Sequence, residues 1–270
     1  RTARRHACRA TRALRMIPLD VHAYIGQFPF RHLPHPDPEI LVKVLAREGI
    51  ARAWVAHLPT AFHRDPGPGN AELFARLAPH PTLIPTPTVR PDWPGWERTL
   101  RDHVDRGVPA VRAWPMQWGM GAHDGAMRAL GAACGEAGVA LVLAVRFEDL
   151  RQRHWMEAAG DLSGPHLRAL ARVSPRTRLV VLGAGRELIE EVHWGLTPDE
   201  QSRVWWDISW LWGPPEDHLA LLFRTMGAER FVYGTGWPLR LTQTPRANLD
   251  LLPPELADAE LTDASSLAPY

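Results

Sequence analysis

Lysine is all but missing from this chain: Lys43 is the only one, and it falls on the polar side of a helical pattern. A Schiff-base enzyme or a carboxylated-lysine metal site needs a lysine amine in its pocket, so both chemistries are set aside. Cysteine is nearly as scarce. Cys8 and Cys134 cannot make a disulfide framework, which points to a reduced, cytoplasmic setting. No stretch approaches the roughly 18–20 uncharged apolar residues of a bilayer-spanning helix, and a membrane protein is not expected. No G-x-G-x-x-G turn follows the first strand pattern, which disfavours a dinucleotide fold. No G-x-S-x-G elbow occurs either, which disfavours a serine hydrolase.

What charge there is sits unevenly. Residues 1–15 hold six arginines and no acid, without the apolar run of a secretory signal. They are read as a disordered or mis-started extension, the alternative being a basic tail for nucleic acid, and residues 16–270 as the domain. Removing those six charges takes the formal balance from +1 to −5. The body therefore offers no global basic field, and no nucleic-acid partner is expected.

From Ile17 to about Leu252, short apolar runs alternate with amphipathic helical patterns, the signature of a parallel sheet with crossover helices. Eight strands are expected: Ile17 to Ala23, Ala51 to Leu58, Thr82 to Arg90, Ala110 to Pro115, Ala140 to Phe147, Arg178 to Ala184, Arg203 to Leu211 and Phe231 to Gly236. Leu141-Val142-Leu143-Ala144-Val145 does not alternate with polar residues, as befits a strand covered on both faces. Between the strands, Asp37 and Pro38 open a helix that places Ile40, Leu41, Val44 and Leu45 on one stripe before Gly49. The expected fold is α/β, a single parallel (β/α)8 TIM barrel.

Such a barrel builds its active site at the carboxyl ends of its strands. The first strand ends Asp20-Val21-His22-Ala23-Tyr24-Ile25-Gly26 and the eighth runs into Gly234-Thr235-Gly236-Trp237-Pro238. In these segments the chain resembles the amidohydrolase-related family of the amidohydrolase superfamily, whose strand one ends D-x-H-x-H-x-G and whose strand eight reads G-[ST]-D-x-P. The resemblance implies a barrel hydrolase with a metal at its mouth, but most of the implied ligands are gone. His22 remains, Tyr24 stands for the second histidine and Gly236 for the aspartate. Strands five and six supply Val145, Arg146, Gly183 and Ala184 where histidines are expected. One imidazole cannot hold a catalytic zinc, which takes three protein ligands and a water. No cofactor is expected, the alternative being zinc at a site rebuilt from His22, His57 and Asp207.

Asp207 is read as a general base or as a buried carboxylate tied to an arginine. Arg90 ends strand three, Arg112 lies in strand four, Arg146 ends strand five and Arg186 follows strand six, and an arginine in a barrel mouth calls for an anionic partner. The plainer alternative turns some of them outward to pair with acids such as Asp149. His57, Trp114 and Trp237 complete the candidate substrate wall, Trp114 belonging to a run that serves as lid or as packing. The leading functional expectation is hydrolysis of a small carboxylated molecule by water attack at a carbonyl carbon, with His22 or Asp207 activating the water. Metal-free lactonases within the superfamily make this chemistry conceivable without zinc. The alternatives are a non-catalytic anion-binding barrel and a non-oxidative decarboxylase.

Overall fold

A computed structural model describes residues 16–267; the expected extension at 1–15 lies outside them. Eight parallel strands alternate with helices in the order β1 (Ile17–Ile25), α1 (Pro38–Arg47), β2 (Ile50–His57), α2 (Gly67–Leu77), β3 (Leu83–Pro85), α3 (Trp96–Asp105), β4 (Ala110–Ala113), α4 (Gly125–Ala137) and β5 (Ala140–Ala144). The order continues with α5 (Gly164–Ala171), β6 (Leu179–Leu182), α6 (Arg186–Trp194), α7 (Pro198–Gln201), β7 (Val204–Asp207), α8 (His218–Met226), β8 (Phe231–Val232) and α9 (Gln243–Asp250). The ladders β1-β2-β3 and β4 to β8 are joined through a Thr88–Arg112 bridge. On the other side β8 returns to β1 through the Val21 N–H on the Tyr233 carbonyl and the Tyr24 N–H on the Trp237 carbonyl. The result is a closed (β/α)8 barrel, as the alternating pattern implies.

Side-chain alternation divides the apolar residues between two layers. Leu141 and Leu143 of β5 join a cluster that includes Leu41, Leu130, Cys134 and Leu222 from the helices, so they face outward. Val142 and Ala144 belong to a second cluster with Val21, Ala110, Val180 and Val232, which fills the barrel. Arg112 pairs in register with Val142, and Asp207 with Val232, so both charged side chains point into the barrel. One extra residue in β1, between Asp20 and Ala23, switches its inward set from Leu19 and Val21 to Tyr24.

Every strand but β1 ends before its expected bound, β3, β7 and β8 by the most. Pro85 and Pro87 cannot donate to a ladder, which leaves Arg90 in a loop. β7 stops at Asp207 and β8 at Val232, so Trp210, Gly236 and Trp237 all belong to the loops of the mouth. Among the described residues no helix is long and apolar enough to cross a membrane.

Candidate functional site

The barrel ends in two adjoining arrangements: a sealed hydrogen-bonded chain and an open cleft. In the chain, His22 donates from Nδ1 to Asp207 Oδ2 at 2.5 Å, and the Tyr24 hydroxyl is hydrogen-bonded with His22 Nε2 at 3.0 Å. Ser209 Oγ lies 3.1 Å from the same Nδ1, and the Gly183 N–H donates to Asp207 Oδ1 at 2.7 Å. Burial opposes ionisation of Asp207, but the charge and hydrogen bond of His22, with Ser209 and Gly183, hold its carboxyl below the ordinary range. Gly234 makes the approach achievable, since a Cβ there would collide with the Asp207 carboxylate and lie 2.9 Å from His22 Cβ.

Asp20 ties β1 to β8 rather than entering this chain. It accepts from the backbone of His22 at 2.8 Å and from the Thr235 hydroxyl at 2.6 Å, and its burial raises its pKa despite those bonds. Arg112 lies beneath, fully buried, donating to Thr86 Oγ1 at 2.9 Å and to the Val21 carbonyl at 3.0 Å. Its guanidinium carbon sits 5.1 Å from the Tyr24 ring centroid. Above, Trp114 and Phe147 stack with ring centroids 5.1 Å apart, and Tyr24 packs 6.2 Å from each. Phe28 and Phe62 extend the layer. Trp114 is thus packing in the barrel interior, with its indole N–H on Thr88 Oγ1 at 3.1 Å.

Beside this aromatic layer a cleft of about 730 Å³ opens between the loops after β1, β5, β7 and β8. Phe147, Trp212 and Trp237 give it aromatic surface, Ser209 links it to the sealed chain, and Arg31 and Arg240 bring positive charge. Arg31 is paired with Glu148 at 2.8 Å. Arg240 instead lies over the Trp210 indole, its guanidinium carbon 3.1 Å from the ring centroid. Burial lowers its pKa to about 10, the negative charge of Asp207 working in the opposite direction. Among the described residues no carboxylate lies within ion-pair distance of this guanidinium.

The residues singled out from sequence are therefore dispersed. His22 and Asp207 meet, Arg112 reaches them through Tyr24, and Trp237 lines the cleft. Arg146 stands 5.1 Å from the Trp210 ring but is paired with Asp161 at 2.9 Å. Arg90 grips Asp92 with two bonds, of 2.7 and 3.0 Å, beside a different cleft that holds Arg64 and Trp93. Arg186 opens α6 and pairs with Glu190 one turn on. His57 bonds Thr60 at 2.8 Å and faces Glu72; burial holds its imidazole below the usual range, against the charge of Glu72. It does not converge with His22 and Asp207. Tyr24, Ser209, Trp210 and Arg240 were not singled out as site residues. Arg240 had one local signal, its position four residues past Gly236 in the loop that carries the strand-eight motif.

Could the mouth hold the metal that the strand-one motif implies? Among the described residues no group of three or more His, Cys, Asp and Glu side chains is placed to do so. Both nitrogens of His22 are engaged by protein groups, and the space beside Gly236 contains the Arg240 stem. This donor set does not fit a divalent ion.

Neither a protein-family model nor a curated protein sequence matches the chain. Solved structures do. The 2,6-dihydroxybenzoate decarboxylase from Rhizobium is 13% identical, with a TM-score of 0.67 over 93% of this chain and 98% of that one. An amidohydrolase II protein is 12% identical, at 0.67 over 92% and 98%. The likeness shows a shared (β/α)8 barrel fold. A probable 2-pyrone-4,6-dicarboxylic acid hydrolase from Acinetobacter baumannii with citric acid bound is also similar, at 12% identity and a TM-score of 0.56 over 87% and 91%. Structures of this type thus include decarboxylases and hydrolases named for carboxylated molecules.

Proposed function

We propose that this protein binds a small carboxylated anion in the Arg240 cleft, without a metal ion. The observation that supports it most is the half-buried Arg240 guanidinium, stacked on Trp210 and, among the described residues, lacking a carboxylate partner. A cation in that condition is costly until an anion supplies charge and hydrogen bonds. The planar fork of arginine suits a carboxylate. Arg31 faces the same space, and Phe147, Trp212 and Trp237 offer flat apolar walls for the rest of the ligand. The carboxylated ligands and substrates named for proteins of the same fold support this ligand class.

The Tyr24–His22–Asp207 chain supports a second reading, hydrolysis of that ligand. Asp207 orients the imidazole and keeps Nε2 as its acceptor nitrogen, the state required of a general base. In this conformation the Tyr24 hydroxyl occupies that nitrogen, and the aromatic layer covers both groups. Binding therefore takes precedence, with turnover requiring Tyr24 to give way. Decarboxylation is the third reading, supported by the shared fold alone.

A thermal-shift panel tests the binding reading. Benzoate, dihydroxybenzoates and citrate should raise the Tm more than their neutral esters, and added salt should weaken the response. Equal shifts for acids and esters would remove the anion site. Mass spectrometry of the same mixtures decides turnover: product formed by the native chain and lost in His22→Ala would establish hydrolysis or decarboxylation in place of binding alone.

A further inference from the structure

Gly236 and Arg240 are geometrically coupled. The Gly236 backbone has φ +73°, and a Cβ added there would stand 2.7 Å from Arg240 Cδ and 3.3 Å from its Cγ. Gly236 has no freedom to back away, because its N–H donates to the His22 carbonyl at 2.7 Å and thereby closes β8 onto β1. Its own carbonyl accepts from the Arg240 N–H at 3.1 Å, which curls the loop so that the arginine stem runs back over residue 236. The guanidinium then comes to rest on Trp210, in the turn that directly follows Asp207. A side chain at 236 and this path for Arg240 exclude each other.

We infer that Arg240 is a built-in cation of the mouth, admitted by the missing side chain at residue 236. This deepens the anion-binding reading and rests on it for its functional consequence. The positive charge is covalently part of the chain, so chelators cannot remove it. A divalent ion would have to enter against Arg240 and Arg146, both within 5.1 Å of the Trp210 ring centroid. Gly236 is a positioning residue here, acting on the ligand only through the path it leaves for Arg240.

The test reads Arg240 directly. In protein labelled with 15N-arginine, the Arg240 Nε–H resonance, assigned by its loss in Arg240→Met, should be displaced by the Trp210 ring current. One equivalent of Mn²⁺ should leave it unbroadened. Gly236→Ala should return it to the position of free arginines, and Gly236→Asn should do the same with less backbone strain, because asparagine tolerates positive φ. If both variants fail to fold, Trp210→Ala, which keeps Gly236, should abolish the displacement. In titrations with citrate, Gly236→Asn should lose at least tenfold in affinity, as Arg240→Met does, and the double variant should be no weaker than either single one. An Arg240 resonance unmoved by any side chain at 236, or selective broadening by stoichiometric Mn²⁺, would overturn the inference. If no carboxylate binds while the resonance behaves as described, the ligand reading fails and the built-in cation stands.

Discussion

The two arrangements at the mouth, one fully buried and one open to the cleft, treat charge in opposite ways. In the sealed chain every charged group has its partner in the protein: Asp207 has His22, Ser209 and the Gly183 N–H, and His22 has Asp207 and Tyr24. In the cleft, Arg240 has an indole face and, among the described residues, no acid within ion-pair distance. A buried charge satisfied internally serves to hold strands together, whereas one left unsatisfied is available to something that arrives from outside. His22 and Asp207, the more eye-catching residues, are on the side that is already complete.

The largest expected effect breaks the sealed side. Asp207→Ala removes the partner of His22 and of the Gly183 N–H at once, and should cost about 3–5 kcal/mol of stability in urea denaturation. The same carboxylate should govern acid unfolding. Its folded pKa lies below the unfolded value, so its contribution is complete above about pH 4 and is lost as pH falls through the folded pKa. The variant should show a shallower fall in stability across that acid range; an identical acid limb would mean that other carboxylates control it.

Arg240→Met sharpens the comparison by having the opposite profile. Carboxylate affinity should fall by about tenfold to a hundredfold, the worth of a hydrogen bond to a charged group. Stability of the ligand-free protein should stay unchanged or rise slightly, because an unpaired cation is replaced by an apolar side chain of similar stem. A large loss of stability without any ligand would show that Arg240 belongs to the satisfied set after all.

Smaller effects are expected at the edges of the two regions. Tyr24→Phe removes a hydroxyl from His22 while keeping the ring against Trp114 and Phe147, and should cost about 1 kcal/mol. If turnover is detected, this variant should raise it by freeing His22 Nε2; a fall would make the phenol itself part of the chemistry. Glu157, buried in the loop after β5 with one oxygen unpartnered, has its pKa raised by burial to about 7. It is protonated more readily folded than unfolded, so its ionised form opposes folding as pH rises through 7. Glu157→Gln should stabilise the protein by about 1 kcal/mol at pH 8, after discounting for its partial solvation, and less at pH 5. A pH-independent gain would assign the effect to packing.

Much of the mouth was legible residue by residue. His22 is a candidate through the strand-one motif and Asp207 as an acid within strand seven, and the barrel brings them together across 185 positions of sequence. Arg90 and Arg186 were legible in the other direction, since Asp92 and Glu190 stand two and four residues away and short-range pairing satisfies them. Arg146 was not, because Asp161 lies in the long loop after β5, whose path no periodicity describes. The strand-eight motif pointed to Gly236 but not to the Arg240 stem that lies against it.

The sequence by itself determined the barrel and which residue types stand at its strand ends. Two-faced apolar strands need helices on one side and a filled interior on the other, and that requirement is written in local periodicity. The absent ligands are equally local, each a matter of which residue type stands at a strand end. Only the tertiary structure decided which charges are paired inside the protein and which are left without an acid. Whether an arginine is satisfied depends on where a carboxylate arrives from a distant loop, and on whether a glycine leaves the side chain room to pass. Neither the distance between loops nor the space beside residue 236 has any counterpart in the order of residues along the chain.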